Sequence, residues 1–238
     1  MAVGTLTTVP VPAPKVIDPV VAGRAMVLAP LAAVPLAALA GLVVFAGQAV
    51  HLPALAVAAL ALGAVALGSR GLHLDGLADT ADGLGASYDR AKALEVMRRG
   101  DSGPTGVATL VFVLLVQVGA LSVVGPVSAA AGVLVGRCTL SMACARGVPS
   151  ARPEGLGATV AGSVPRAAAI AVGVVAGGLA VLLPGLAWWR GPLAVLLGYA
   201  VAAALLVRCT RRLGGVTGDV LGGCVEVAVA AALLALSW

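Results

Sequence analysis

The sequence predicts an all-α, polytopic transmembrane helix bundle, and three observations support this fold class. The chain has 238 residues, of which 61% are hydrophobic and 11% are charged, whereas soluble domains carry about 25% charged residues. The mean hydropathy is +1.09. The apolar residues form six or seven long stretches, and stretches of about 20 apolar residues cross a bilayer as helices. We therefore expect one integral membrane domain over residues 1–238.

The apolar stretches define the predicted spans in chain order. They follow an N-terminal lead-in, residues 1–25, which has no basic start and no cleavage pattern and which we expect to stay attached. Turns at His51-Leu52-Pro53 and Gly125-Pro126 separate the first span from the second and the third from the fourth. The seven candidates, of which six or seven should cross the membrane, are Met26–Gly47, Leu52–Gly68, Thr105–Val124, Val127–Ala145, Ala167–Leu186, Pro192–Val207 and Val220–Leu236.

The basic residues predict the orientation of the bundle. With seven spans, Arg190 lies on one side, and all other basic residues outside the spans lie on the opposite side. The positive-inside rule makes that opposite side cytoplasmic, in a bacterial inner membrane. The net charge of +5 comes from residues scattered over several short loops, so it does not indicate a nucleic-acid partner.

The acidic residues, in contrast, gather in one segment. Six of the ten lie in residues 70–104, between the second and third spans, and we interpret this segment as a cytoplasmic catalytic loop. Asp75, Asp79 and Asp82 follow an i, i+4, i+7 spacing, which places them within an arc of about 60° on one helix face. A transporter would more often place its ionisable residues near the middle of the bilayer.

Three carboxylates on one helix face repel one another, so a cation is expected among them. Hard oxygen ligands suit Mg²⁺, with Mn²⁺ as a substitute. The alternative is an exposed acidic helix without a metal, which leaves Gly76, Gly83 and Gly85 unexplained because glycines cost helix stability. We expect these glycines to let a ligand approach the backbone.

Four motifs occur in the order found in one enzyme family. They are HLDGLADTADGL (His73–Leu84), VMRRGDSGPTGVATLV (Val96–Val111), ARPEGLG (Ala151–Gly157) and GGVTGDVLGG (Gly214–Gly223). With the opening TTVPVP (Thr7–Pro12), the sequence resembles the adenosylcobinamide-GDP ribazoletransferase family, also called cobalamin synthase, from about Thr7 to the last span. One departure is that Asp101-Ser102 follow Met97-Arg98-Arg99-Gly100, whereas many members have Asp-Ser directly after Met and one basic residue.

The resemblance implies a Mg²⁺-dependent, membrane-bound transferase of cobalamin biosynthesis. In this family the 3′-hydroxyl of α-ribazole, or of its 5′-phosphate, attacks the corrinoid-side phosphorus of adenosylcobinamide-GDP. GMP leaves, and adenosylcobalamin or its 5′-phosphate is formed. Catalysis at a diphosphate consists mostly of positioning and charge neutralisation. The expected partners are these substrates and the lipid bilayer. The chain could also form a homo-oligomer or associate with other corrinoid enzymes.

Candidate roles follow from these requirements. Asp75, Asp79 and Asp82 are the expected metal ligands, and His73, Asp82 and Asp219 are the expected catalytic residues. His73 is a candidate general base on the attacking hydroxyl, or alternatively a partner that orients a metal ligand. Asp219 lies where a Gly-rich loop enters the last helix, a position that suits either capping or membership of the site. The substrate-binding candidates are Arg98, Asp101, Ser102, Arg137, Arg152, Thr217 and Gly218.

Arg137 differs from the other basic candidates because it lies inside the fourth predicted span. An intramembrane arginine is costly and usually faces a partner or a polar cavity. We expect a salt bridge with the acidic segment or a phosphate contact, and the alternative is that the side chain snorkels to the membrane surface.

Two other functions stay open. Asp79-Thr80-Ala81-Asp82-Gly83 spells the DxxDG that opens the signature of CDP-alcohol phosphotransferases, which suggests a lipid phosphotransferase. However, Ala86-Ser87 stands where that family has Ala-Arg, and its paired downstream aspartates are missing. A divalent-cation transporter with the acidic cluster as its filter is the other alternative. It predicts symmetric repeats, and the sequence has no internal repeat.

Overall fold

A computed structural model describes residues 1–12, 14 and 16–238, so Ala13 and Lys15 of the predicted lead-in lie outside the described residues. The predicted all-α fold is confirmed: over the described ranges, the only β-type pairing is two isolated bridges, Ala145 with Val164 and Ser150 with Val216. The thirteen helices of these ranges are α1 (Ala2–Leu6), α2 (Pro19–Val27), α3 (Ala29–Ala32), α4 (Val34–Ala49), α5 (Ala54–Gly68), α6 (Leu72–Ala86), α7 (Arg90–Val96), α8 (Pro104–Leu121), α9 (Pro126–Ala143), α10 (Leu156–Val160), α11 (Arg166–Ala180), α12 (Arg190–Leu213) and α13 (Gly218–Leu236).

Several of these helices are suited to cross a membrane. By length and composition, α8, α9, α12 and α13 each qualify alone, and α5 with α6 qualifies only as a pair bent by 91°. α4 and α11 are shorter apolar helices. The polytopic bundle is thus confirmed, although four helices, or five with the bent pair, are long enough to cross a membrane where six or seven spans were predicted. Two helices also differ clearly in length from the prediction. The helix in Ala167–Leu186 ends at Ala180, and the helix in Pro192–Val207 extends over Arg190–Leu213.

The first predicted span, Met26–Gly47, is not one continuous helix. α2 ends at Val27, the single turn of α3 follows, and α4 starts at Val34. α3 and α4 each carry a proline, Pro30 and Pro35, within their first two positions. A proline ring has no N–H and clashes with the preceding turn, so it is tolerated at a helix start and breaks a helix interior. The two prolines therefore divide this span.

The last helix, α13, lies at the centre of the bundle. It packs on α6, α8, α9 and α12, and most of its residues are buried. Glycines allow the close approach to α9: a Cβ atom on Gly132 would lie 2.5 Å from the Leu233 side chain, and one on Gly136 would lie 2.9 Å from the Val225 carbonyl oxygen. Small residues take this role between membrane helices because packing replaces the hydrophobic effect there.

α6 leaves the direction of α5 at a bend of 91° and does not qualify as a membrane span by itself. Arg70 and Gly71 precede it with φ values of 58° and 67°, and this left-handed turn produces the 91° bend. The helix packs on α7, α8 and α13. The predicted catalytic loop of residues 70–104 is thus largely helical, because it contains α6 and α7.

The glycines of α6 admit neighbouring helices, which corrects the expectation that they admit a ligand. A Cβ atom on Gly76 would lie 2.7 Å from the Asp219 carbonyl oxygen, at the start of α13. One on Gly83 would collide with the Met97 side chain after α7, and one on Gly85 would lie 3.1 Å from the Thr105 side chain in α8. These close crossings bring the acidic face of α6 to the start of α13.

Candidate active site

A polar cavity of about 230 Å³ lies where α6 crosses the start of α13. Two larger grooves, of about 500 and 530 Å³, run along α11 and are lined mainly by apolar side chains. Because diphosphate chemistry needs charged groups, the polar cavity is the candidate site. It is lined by Leu72, Asp75, Arg152, Glu154, Gly155, Leu156, Gly157, Val216, Thr217, Gly218 and Asp219.

Carboxylates from two helices meet at the polar cavity. Asp75 and Asp219 line it, and Asp79 lies one turn after Asp75 on α6. Burial, together with the charges of Asp75, Asp219 and Asp82, raises the pKa of Asp79 to about 6. The negative charges of these neighbouring carboxylates disfavour ionisation of Asp79. Excess negative charge therefore accumulates here, as the spacing of the sequence predicted for Asp75 and Asp79.

Arg152 adds positive charge to the lining of the cavity, beside Asp219. Its Nη1 atom lies 3.8 Å from Asp219 Oδ2, and its Nη2 atom donates to the Leu94 carbonyl oxygen at 2.8 Å. Arg90 supports the same segment, because its Nη2 atom donates to the Ala151 carbonyl oxygen at 3.1 Å. The predicted substrate-binding residue Arg152 thus faces both the carboxylates and the space where a substrate would lie.

The start of α13 forms the third side of the cavity. Thr217 caps this helix: its hydroxyl oxygen accepts from the Val220 N–H at 3.2 Å, and the hydroxyl donates to Asp219 Oδ2 at 3.1 Å. The capping residue is therefore Thr217, and Asp219 lies in the first turn. Thr217 and Gly218 both line the cavity, where the N-terminal end of a helix attracts phosphate.

Three residues of the ARPEGLG motif line the cavity although none of them was among the predicted site residues: Glu154, Gly155 and Gly157. Gly157 is needed for packing, since a Cβ atom there would lie 2.7 Å from both Thr217 Cα and the Val216 carbonyl oxygen. The signal that could have identified it is the motif's pair of glycines, which is typical of a close backbone approach.

Asp82 faces α8 rather than the polar cavity. Its Oδ2 atom accepts from the Gly103 N–H at 2.7 Å, and its Oδ1 atom accepts from the Gly106 N–H at 2.8 Å. A carboxylate at the start of a helix stabilises the exposed N–H groups there. This structural role competes with the predicted roles of Asp82 in catalysis and metal binding, which stay predictions.

We expect Asp82→Ala to lower the stability of the solubilised protein by about 1–3 kcal/mol, because the N–H groups of Gly103 and Gly106 lose their acceptor in a buried place. Asp18→Ala, which removes the exposed cap of α2, is the matched control and should cost about 0.5–1 kcal/mol. Thermal unfolding measures both. Equal effects of the two variants would contradict the capping role. Loss of Mn²⁺ binding without loss of stability in Asp82→Ala would support ligation instead.

His73 and Arg137 contact each other in the buried interior. Arg137 is 1% exposed and His73 is 3% exposed, and Arg137 Nη2 lies 3.3 Å from His73 Nδ1. Arginine only donates hydrogen bonds, so His73 Nδ1 is the acceptor and the ring proton is on Nε2. Arg137 therefore does contact the acidic segment, but its partner is a histidine rather than a carboxylate. Neither residue lines the polar cavity.

The other predicted substrate-binding residues lie outside the cavity lining. Arg98 is exposed, and its Nη2 atom lies 3.8 Å from Oε1 of Glu154, which places Arg98 at the rim. Asp101 and Ser102 are exposed in the segment before α8. The structure thus brings together Asp75, Asp79, Arg152, Thr217, Gly218 and Asp219, and it does not bring Asp101 and Ser102 to them.

The donor set of Asp75, Asp79 and Asp219 fits a divalent cation in part. Over residues 1–12, 14 and 16–238, no three His, Cys, Asp or Glu side chains converge into a complete metal site. Mg²⁺ does not require one, since it usually binds one or two carboxylates and takes its remaining ligands from water and substrate phosphates. Excess negative charge beside a phosphate-binding helix start is consistent with that mode of binding.

Comparison with known proteins gives the family of the chain. The sequence model of the family described as "Cobalamin-5-phosphate synthase" matches residues 1–237. A protein of Nocardioides sp. named adenosylcobinamide-GDP ribazoletransferase is 49% identical over 98% of this chain and 95% of its own length. A protein of the same name from Frankia casuarinae is 43% identical over 98% of this chain and 91% of its own length. No solved structure matches the chain. The chain belongs to the cobalamin-5-phosphate synthase family, so the predicted resemblance and the prediction of an enzyme of cobalamin biosynthesis are confirmed.

Proposed function

We propose that the chain, as a member of this family, transfers the adenosylcobinamide-phosphate group of adenosylcobinamide-GDP to the 3′-hydroxyl of α-ribazole or of its 5′-phosphate. The observation that supports this most directly is the polar cavity, which is lined by Asp75, Asp219, Arg152 and the start of α13. Its negative side suits a metal ion, and its positive side suits a diphosphate. The 49% identical relative bears the name of this activity.

The reaction forms a bond between the hydroxyl oxygen and the corrinoid-side phosphorus, and it breaks the bond from that phosphorus to the oxygen that leaves with GMP. The hydroxyl proton passes to solvent or to a carboxylate of the site. One or two carboxylates of the set Asp75, Asp79 and Asp219 would hold a Mg²⁺ or Mn²⁺ ion, which would neutralise charge on the diphosphate. Holding both substrates in line accounts for most of the expected catalysis.

The chain's own groups orient the diphosphate. Arg152 is already held by the Leu94 carbonyl oxygen, so its guanidinium loses little freedom on binding a phosphate oxygen. The N–H groups at the start of α13 add partial positive charge beside Gly218. Arg98, at the rim beside Glu154, would meet the incoming anionic substrate first.

We also propose that the polar cavity faces the cytoplasm of a bacterial inner membrane. The residues that line the cavity lie in three connections between predicted spans: second to third, fourth to fifth, and sixth to seventh. These three connections carry most of the basic residues outside the spans. Basic connections stay on the cytoplasmic side during insertion. Nucleotide substrates are also found on that side.

The deciding experiment incubates the purified chain in nanodiscs with adenosylcobinamide-GDP and α-ribazole, with Mg²⁺ or with a chelator. We expect GMP and the joined corrinoid in equal amounts, only with the metal. Release of CMP from a CDP-alcohol without release of GMP would replace this function by a lipid phosphotransferase. Metal uptake into sealed vesicles without either reaction would indicate a transporter.

A further inference from the structure

Behind the polar cavity, a network of buried polar side chains joins α6, α8, α9 and α13. It consists of His73, Gln117, Arg137 and Glu226, which are at most 7% exposed. Gln117 Nε2 donates to Glu226 Oε2 at 2.9 Å and to the Glu226 carbonyl oxygen at 3.1 Å. Arg137 donates to the Val133 carbonyl oxygen at 3.3 Å and contacts His73 Nδ1. Burying such charges is costly, so their arrangement calls for a role.

The charge of Arg137 is balanced from the side of α13. Arg137 and Glu226 both line a small cavity of about 20 Å³, which is room for about one water molecule. Arg137 Nε is buried without a hydrogen-bond partner among the described residues. Glu226 thus lies on the α13 side of the guanidinium, and the Nη2 atom of Arg137 contacts His73 of α6.

The contact with Arg137 holds α6 where its orientation matters most for the carboxylates. His73 lies in the first turn of α6, two residues before Asp75. The same turn packs directly on α13, since a Cβ atom on Gly222 would lie 3.1 Å from His73 Cα. The side-chain hydrogen bond from Arg137 adds to this packing a directional contact that resists rotation of α6 about its axis. Rotation of α6 would turn Asp75 away from Asp219.

We propose that Arg137 and His73 are positioning residues, and that their contact fixes the rotation of α6 so that Asp75 and Asp79 lie next to Asp219 at the polar cavity. The proposal rests on the metal site of the proposed function. It assigns His73 as the acceptor of a hydrogen bond from Arg137 rather than the base on the attacking hydroxyl. Burial of His73 at 3% exposure agrees with this assignment.

Two substitutions at His73 separate positioning from base catalysis. Asparagine places an acceptor oxygen close to the position of Nδ1, so His73→Asn retains the contact with Arg137, whereas His73→Leu removes it. We expect His73→Leu to weaken Mn²⁺ binding, measured by electron paramagnetic resonance, by about 10- to 100-fold. We expect His73→Asn to bind Mn²⁺ and to form GMP at least about tenfold better than His73→Leu. His51→Asn, in an exposed turn, is the matched control.

Arg137→Lys and Arg137→Met test the other partner of the contact. Lysine retains a donor and a charge for Glu226, so Arg137→Lys should bind Mn²⁺ more tightly than Arg137→Met, and both should bind it less tightly than the wild type. Size-exclusion profiles and thermal unfolding check that each variant is folded. If Arg137→Met does not fold, the two His73 variants decide the question.

Two results would overturn the proposal. The first is that both His73 variants bind Mn²⁺ like the wild type and lose transfer equally, which would make His73 the base. The second is that all four variants bind Mn²⁺ and react like the wild type, which would leave the contact without a role. If the wild type binds Mn²⁺ but does not release GMP, the proposed function fails, while the Mn²⁺ affinities of the variants still decide the positioning role.

Discussion

Asp79→Asn is expected to lower the rate of GMP release by about 100- to 1,000-fold, the loss typical of removing one electrostatic contact to a transition state. Asp79 is 7% exposed and lies beside Asp75 and Asp219. Asparagine keeps the shape of the side chain and removes its charge, so a bound cation loses one anionic ligand. Binding of Mn²⁺ should weaken in parallel, and titration by electron paramagnetic resonance measures it.

The same substitution should make the metal-free protein more stable. The pKa of Asp79 is raised to about 6 in the folded protein from the ordinary value of about 4. Protonation of Asp79 therefore stabilises the folded state relative to the unfolded state. This contribution is complete below pH 4 and is lost as the pH rises through 6. Asparagine mimics the protonated form, so Asp79→Asn should gain roughly 1–3 kcal/mol of stability at pH 7. Thermal unfolding in the presence of a chelator measures the gain.

Asp89→Asn is the matched control for Asp79→Asn, because Asp89 is an exposed acid that caps α7 through the Lys92 N–H at 3.1 Å. It should leave Mn²⁺ binding unchanged. Asp79→Asn with Mn²⁺ affinity and activity like the wild type would contradict the site. A loss of stability in that variant without metal would contradict the repulsion among the carboxylates.

Gly76→Ala is expected to cause the second largest loss of activity. A Cβ atom at Gly76 would lie 2.7 Å from the Asp219 carbonyl oxygen and 2.9 Å from Asp219 Cα. These are backbone atoms that cannot move aside, so α6 and α13 must separate. The separation should cost about 1–3 kcal/mol of stability. It should also cost about 100-fold in transfer rate, as displacements of about 1 Å do.

Gly63→Ala tests whether the effect of Gly76→Ala comes from the crossing rather than from the lost glycine. Gly63 lies in α5, and a Cβ atom there would have nothing within 4 Å. Alanine is the better helix former, so Gly63→Ala should be neutral or more stable by up to about 1 kcal/mol. Thermal unfolding and GMP release compare the two variants. Equal behaviour of both would show that the close crossing of α6 and α13 does not matter.

The carboxylates show how far spacing predicts a site. The i, i+4, i+7 pattern predicted that Asp75, Asp79 and Asp82 share one face of α6, and periodicity does fix the direction of a side chain from its helix axis. The periodicity does not predict which neighbouring helix each of these side chains contacts along the length of α6. Asp75 meets the start of α13, whereas Asp82, two turns later, meets the N–H groups of Gly103 and Gly106 at the start of α8.

The helix ends show a similar limit. Hydropathy located the spans because backbone groups in lipid must be satisfied within a helix. The sequence contains Pro30 and Pro35 where the helix breaks, but the uninterrupted apolar stretch across them led to the prediction of a single span. The bend after Arg70 and Gly71 was not predicted, because a left-handed turn of two residues leaves no periodic signal.

The sequence by itself determined the helical membrane bundle, the family and the acidic character of the site, since hydropathy, motifs and charge are properties of consecutive residues. Only the tertiary structure decided that Asp219 joins Asp75 and Asp79, that Asp82 caps α8, and that Arg137 contacts His73. Each of these contacts joins helices far apart in the chain. The crossing geometry of those helices sets the contacts, and the places where a glycine lets two backbones touch set that geometry.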